Sequence, residues 1–511
     1  MIDATPLLRL YARRRGAVLA RQDPAAAQER ELLRLVGRAK DTRFGRAHDF
    51  GRIRSIADFR ARVPLRRYED FWTEWWQPAF PRLDGVTWPG TIPYFAATSG
   101  TTTGKTKYIP VSREMMASNK WAAFDLLSFH VLNRPGSRLL GGRNFMLGGS
   151  TDLVELAPGI YSGDLSGIAA NEVPRWAQPF YFPPKDLALI ADWERKVETV
   201  GRLSLVQDIR CIGGTASWLL LFFDRLAAMR GDPEPRAARL YPNLELVVHG
   251  GVDFAPYRPQ FGRLLEGSHA ELREVYPASE GFVAVADRGT GEGLRMLLDN
   301  GIFFEFVPVE ELDAPAPRRF WIGDVEPGVD YAVAMSSNAG LWAYLLGDLV
   351  RFVETRPPRI RVSGRTSYML SAFGEHLIGA EIEAAVAAAA AGIGAAVTDF
   401  SVGPVFPERP GEVGGHLYIV EFAGGPPKPA RLDAFAAALD AHLCAANADY
   451  RDHRAGGFGM AAPAVTAVPP GSFAGWMRAR GRLGGQNKVP RIITDRELFA
   501  DLLAFTAGRQ N

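Results

Sequence analysis

The sequence predicts an α/β protein in two parts: a large N-terminal domain of mostly parallel sheets flanked by helices, and a smaller, mobile α+β C-terminal domain. Three observations carry that expectation. Between Thr91 and Arg361 short apolar runs alternate with longer helical stretches, the pattern of a largely parallel sheet covered on both faces. A proline-rich break, Glu354-Thr-Arg-Pro-Pro358, ends that alternation, and a region with its own helix and strand pattern follows. The 511 residues, 47% of them hydrophobic, are enough to fill more than one core. The expected domains are 1–362 and 366–511, with a hinge near 363–365.

In chain order, the opening up to about Trp76 reads as helical and charged. Leu32, Leu33, Leu35, Val36 and Ala39 make an amphipathic stripe there. Ile92–Ala97 reads as a strand, and a helix over Arg113–Val131 is capped by Ser112 with Glu114 in its first turn. Further strands are expected at Asn144–Leu147, Arg210–Ile212, Leu244–Val248, Gly301–Val307, Trp342–Leu346 and Arg359–Val362, with helices at Ala191–Gly201 and Ala216–Arg230. Past the break, helices at Ile378–Ala391 and Leu432–Ala446 and strands around Phe400 and His416–Phe422 fit one small α+β domain.

Composition excludes several classes. Lysine plus arginine (59) nearly balance aspartate plus glutamate (57), so no basic field points to nucleic acid or an anionic membrane. The two cysteines, Cys211 and Cys444, do not make a disulfide framework and fit a reducing compartment. No signal-peptide core opens the sequence, and no uncharged apolar run reaches the ~20 residues needed to cross a bilayer. A soluble, cytoplasmic protein is expected, a monomer or weak dimer acting on small molecules.

The most informative segment is Thr98-Ser99-Gly100-Thr101-Thr102-Thr103-Gly104-Lys105-Thr106-Lys107. Glycines let the backbone approach a ligand closely, hydroxyls add donors, and lysines add charge, a combination suited to a polyphosphate. It is not a Walker A loop. Three residues rather than four separate Gly100 from Gly104-Lys105, and Tyr108-Ile109-Pro110-Val111 continues extended instead of opening a helix. A strand–loop–strand flap is expected.

Three further constellations bear on chemistry. In Tyr276-Pro-Ala-Ser279-Glu280-Gly281, after an expected strand end at Arg273–Val275, the Glu280 carboxylate is suited to Mg²⁺, which takes one or two carboxylates plus phosphate oxygens. Seen alone, it reads equally as a solvated loop residue. Tyr344-Leu-Leu-Gly347-Asp348 places an aspartate at an expected strand terminus, where it can accept both hydroxyls of a ribose or simply cap a turn. Gly484-Gly-Gln-Asn-Lys488-Val-Pro490-Arg491 puts a lysine on a glycine-rich loop of the tail, where it is either surface charge or a group delivered onto a phosphate.

In this order and spacing the segments resemble the auxin-responsive promoter (Gretchen Hagen three) family of acyl-acid amido synthetases, within the adenylate-forming enzymes. Thr98–Lys107 is similar to that family's phosphate loop, with Lys107 in its lysine position. Tyr276–Glu280 and Tyr344–Asp348 are similar to two of its motifs. The resemblance extends to Thr42–Phe50, Phe59–Phe71, Phe303–Pro308 and Gly485–Arg491. It implies a reaction in which a carboxylic acid and ATP with Mg²⁺ give an acyl adenylate and pyrophosphate, and an amine, usually an amino acid, then takes the acyl group. It also implies phosphate and nucleotide contacts from Thr98, Ser99, Gly100, Thr101, Thr102, Gly104, Tyr276, Ser279, Asp348 and Arg365. Lys107, Lys488 and His376 are the implied catalytic groups, and Glu280 the metal ligand. The acyl-site walls fall on Ile209–Leu220, with Ser217 and Trp218, and on His249-Gly250-Gly251. The sequence departs from the family at Leu345, where the family has arginine, and at His376, where it has lysine. A histidine of ordinary pKa ~6.5 still donates to a phosphate. An acyl-CoA or acyl-carrier ligase and a non-catalytic, ligand-binding relic of the fold are the competing expectations.

Overall fold

The computed structural model describes residues 2–99, 106–148, 153–184, 187, 193–232, 234–251, 254, 257–312, 314–365, 369–370, 372, 375, 377–406, 413–447, 450–451, 454, 460–482 and 488–508. The chain divides into two compact units, Met1–Val362 and Ser363–Asn511.

The first unit opens on helices whose ends follow the local sequence. Asp23 caps Pro24–Ala39, its carboxylate accepting from the Ala26 N–H. Leu32, Leu35, Val36 and Ala39 of that helix are buried in the main core. Gln28, on the same helix, is fully buried; its amide donates to the Leu298 and Ile302 carbonyls and accepts from the Phe304 N–H. All four groups are thereby satisfied, which fixes the helix to the sheet. Ser112 caps Arg113–Asn133 through the Met115 N–H, as its sequence predicts.

A four-stranded sheet holds β1 (Tyr94–Ser99), β2 (Thr106–Val111), β4 (Val154–Ala157) and β5 (Ile160–Gly163) in the order β2-β1-β5-β4. The large sheet has twelve strands. Its parallel half holds β3 (Arg143–Met146), β6 (Tyr181–Phe182), β7 (Ile209–Gly214), β8 (Leu246–Gly250) and β9 (Glu271–Ala278). The remainder is β10 (Gly281–Val285), β11 (Leu294–Met296), β12 (Ile302–Pro308), β13 (Phe320–Trp321), β14 (Asp330–Ser337), β15 (Tyr344–Thr355) and β16 (Pro358–Arg365). The overall order is β13-β12-β14-β15-β16-β11-β10-β9-β8-β7-β3-β6.

The α/β class and the division into a large and a small unit match the sequence expectation, but mostly parallel pairing holds only from β3 to β9. There, crossover helices such as Ala216–Arg230 and Arg258–Leu264 return the chain to the same edge. Beyond β9, strands are joined by connections too short for a crossover, and every register resolved among them is antiparallel. Three local expectations change for the same reason. The Glu354–Pro358 break is the turn joining β15 to β16, and the division between units falls inside β16. β9 does not end at Val275 but runs through Tyr276 to Ala278, leaving Ser279-Glu280 as a two-residue hairpin turn. Tyr344–Asp348 begins a strand instead of closing one: β15 slips register there, and Gly347 takes a φ of +89°, a left-handed conformation that favours glycine.

The second unit is α+β. β17 (Val397–Val405) pairs antiparallel with β18 (Gly415–Phe422), and β18 pairs parallel with β19 (Ala464–Val468). The helices Gly379–Gly392 and Pro429–Ala446 pack Ile382, Val386, Phe435, Leu439 and Leu443 into one core with Phe400, Tyr418 and Val420. Among the described residues, no helix is long and apolar enough to cross a membrane.

Candidate functional site

β1 and β2 form an antiparallel hairpin in which Thr98 pairs with Lys107 and Ser99 with Thr106. The glycine-rich segment therefore connects two strands, as its sequence predicts. Gly100, Thr101, Thr102 and Gly104 lie outside the described residues, as do the side chains of Thr98 and Ser99. Lys107 is half-buried, its Nζ 3.6 Å from Glu69 Oε1 and 5.0 Å from the centre of the Tyr68 ring. The Tyr68 hydroxyl in turn accepts from the Tyr108 N–H at 2.9 Å. Burial pushes the Tyr68 hydroxyl up to about 12, so it stays protonated at neutral pH.

Two tyrosine–carboxylate pairs lie deeper in the same unit. Tyr276 donates to Asp348 Oδ2 at 2.5 Å, and Asp348 is only 4% exposed. Tyr344 donates to Glu280 Oε1 at 3.1 Å. Burial raises the Tyr344 hydroxyl well above its ordinary value, and Glu280, Glu69 and Tyr68 push it further in the same direction. Tyr344 is thus a neutral donor set between the Glu280 turn and the Tyr68–Glu69 pair that holds Lys107. It links the hairpin turn after β9 to the start of β15, and Tyr68 and Glu69 in turn contact the flap strand β2. Ser279 sits in the turn beside Glu280.

His249 and Gly250 end β8, at the C-terminal edge of the parallel strands, where α/β sheets receive ligands. A Cβ at Gly250 would lie 2.2 Å from the Val275 carbonyl oxygen, so only glycine allows β8 and β9 to approach this closely. The His249 ring is 1% exposed and stacks on Phe254 at 3.9 Å. Burial, with Arg258 adding to it, pulls its pKa down to about 4, so it is neutral. Ser217 and Trp218 fall in the first turn of Ala216–Arg230, and their side chains lie outside the described residues.

The remaining predicted residues belong to the second unit. Arg365 ends β16, its side chain outside the described residues, and His376 lies wholly outside them. Lys488 is exposed. Glu375, which precedes His376 in sequence, is fully buried; it accepts from the Ala372 N–H and bonds His416 Nε2 at 2.7 Å. Sequence reading gave no role to Tyr68, Tyr344 or His416. Tyr68 and Tyr344 stand inside motif segments, but nothing local marks their partners, which are far away in sequence.

Three family models match the chain: the GH3 family N-terminal domain over residues 17–228, the central domain over 295–365 and the C-terminal domain over 380–497. A putative indole-3-acetic acid-amido synthetase, GH3.10 of Oryza sativa subsp. japonica, is 26% identical over 428 residues, covering 74% of this chain and 86% of the relative. Among solved structures, GH3.15 acyl acid amido synthetase superposes with a TM-score of 0.80 at 18% identity, over 99% of this chain and 97% of the other. A 2-hydroxyisobutyryl-CoA ligase in its postadenylation state matches at a TM-score of 0.59 and 17% identity, over 94% and 91% of the two chains. At these identities the structural likeness is one of fold. Taken in sequence order, the three domain models account for most of the chain, and it belongs to the GH3 family.

Proposed function

We propose that this protein is an ATP-dependent acyl-acid amido synthetase. A carboxylate oxygen of the acid attacks the α-phosphorus of ATP and pyrophosphate leaves. The nitrogen of an amine, an amino acid in this reading, then attacks the acyl carbon; AMP leaves with the bonding pair and the amine gives up a proton. The first step removes two obstacles at once, the negative charge of the carboxylate and its poor leaving group. Stabilising charge on the transferred phosphoryl group is the main task left to the protein.

The observation that carries the reading is that Tyr344 bonds Glu280 and feels Glu69 and Tyr68, which in turn contact Lys107 and Tyr108 of the flap. In the proposed roles, Thr98–Gly104 cradle the phosphates through backbone N–H groups and hydroxyls, and Lys107 supplies charge. Its loose contact with Glu69, at 3.6 Å, is weak enough to exchange for a phosphate. Asp348 accepts from the ribose hydroxyls, oriented by Tyr276, which borders the adenine. Glu280 would hold Mg²⁺, which would neutralise phosphate charge there. Among the described residues no group of three or more acidic, histidine or cysteine side chains is placed to hold a metal, so such an ion would draw its other ligands from phosphate and water. In the second unit, Arg365, His376 and Lys488 are the residues proposed for nucleotide binding and catalysis, with Ser363–Arg365 as the proposed hinge.

ATP–pyrophosphate exchange with Mg²⁺ and no amine, run against a panel of aryl, indolyl and aliphatic acids, tests the reading. Acid-dependent exchange is expected. ATP binding without exchange for any acid would favour a ligand-binding relic. Supplying CoA and amino acids separately then separates an amide synthetase from a thioester-forming ligase by its product.

A further inference from the structure

Among the described residues, both ring nitrogens of His249 lack a hydrogen-bond partner, although the residue is only 1% exposed. A neutral imidazole carries one donor and one acceptor, and leaving both unmet in an apolar setting is costly enough to require an explanation. Among its described neighbours, Phe254 stacks on one side, Phe261 lies 6.5 Å away, and Arg258 is held over Phe254. His249 shares a sheet face with Val247, which packs in the core beneath the helix Ala216–Arg230. Its strand partner is Gly214, immediately before that helix. The orphaned ring thus stands where the two segments assigned to the acyl site meet.

We propose that His249 selects the acid, recognising a neutral hydroxyl on an aryl or arylalkyl carboxylic acid. The inference rests on the adenylating function proposed above and extends it to the class of acid. A hydroxyl can donate or accept, so it bonds the ring nitrogen that faces it in either tautomer of the imidazole. A second carboxylate would call for an imidazolium, which burial and Arg258 oppose. A bare hydrocarbon ring would leave both nitrogens unmet. Phe254 and Phe261 make the surroundings of the imidazole aromatic.

The test is pyrophosphate exchange by the full-length protein with matched acids that differ only in a hydroxyl: benzoate and 4-hydroxybenzoate, phenylacetate and 4-hydroxyphenylacetate, 3-phenylpropionate and 3-(4-hydroxyphenyl)propionate. In at least one pair the hydroxylated acid is expected to have kcat/KM roughly 10- to 100-fold higher, as for a site built around a hydroxyl. His249→Phe should bring that ratio close to one, and His249→Gln, which keeps a donor and an acceptor, should restore part of it. A folding defect lowers both acids of a pair together and leaves the ratio intact, so the ratio isolates recognition. Exchange without a hydroxyl preference in any pair, or a preference that survives in His249→Phe, overturns the inference while leaving adenylation standing. No exchange by the wild-type protein with any acid overturns both.

Discussion

Replacing His130 by glutamine should destabilise the first unit most at mildly acid pH and least in alkali. His130, 1% exposed on the helix Arg113–Asn133, places Nδ1 2.6 Å from Glu271 and Nε2 3.6 Å from Glu245, the second contact being an ion pair and not a hydrogen bond. Glu245 immediately precedes β8 and Glu271 begins β9, the strands whose far ends carry His249 and Tyr276. Ser137, the Arg138 N–H and Arg210 also bond Glu245, while Arg134 and Arg273 bond Glu271. Burial works against the charged state of all three groups, but these partners outweigh it. Both carboxylates are drawn from 4.5 down to about 2, and His130 is raised.

A carboxylate held that far down corresponds to about 3 kcal/mol. The two share His130, so their contributions overlap and do not add. Removing one member of such a buried cluster costs about 3–5 kcal/mol in general. Because each carboxylate keeps its arginine here, about 2–3 kcal/mol is expected. A raised histidine stabilises fully below its unfolded pKa of ~6.5 and loses that contribution as pH rises through its folded value. The depressed carboxylates stabilise above 4.5 and lose their contribution as pH falls through about 2. Urea unfolding followed by tryptophan fluorescence at pH 5.5 and at pH 9 should therefore show a wild-type advantage that is larger at pH 5.5. An advantage under about 0.5 kcal/mol at pH 5.5, or one that grows towards pH 9, would refute this account of the cluster.

Three further outcomes follow from the geometry. Gly250→Ala drives a methyl against the Val275 carbonyl, and strain of about 1–3 kcal/mol should appear as a lower thermal midpoint; an unchanged midpoint would mean β8 and β9 separate freely. Tyr276→Phe removes a donor from buried Asp348 and should raise KM for ATP several-fold more than it lowers kcat, a split measurable by exchange at varied ATP. Lys488→Ala should slow adenylation while leaving ATP binding, followed by calorimetry, largely intact, and a wild-type exchange rate would remove Lys488 from the mechanism.

Local rules settled much of this protein from sequence alone. The Ser112 cap, the Leu32–Ala39 stripe and the boundaries of Ala216–Arg230 follow from capping and periodicity, which act over a few residues. The spacing in Thr98–Lys107 was enough to exclude a Walker A loop, and the motifs in register were enough to place the family. What the sequence could not contain were pairings across the sheet. Tyr276 and Asp348 are 72 residues apart and Tyr344 and Glu280 are 64 apart; they meet only in the assembled sheet, where β16 and β11 stand between β15 and β10. The antiparallel half escaped notice because a buried apolar run looks the same in either strand direction. The orphaned nitrogens of His249 were invisible for a similar reason, since a missing partner shows only once every neighbour is in place.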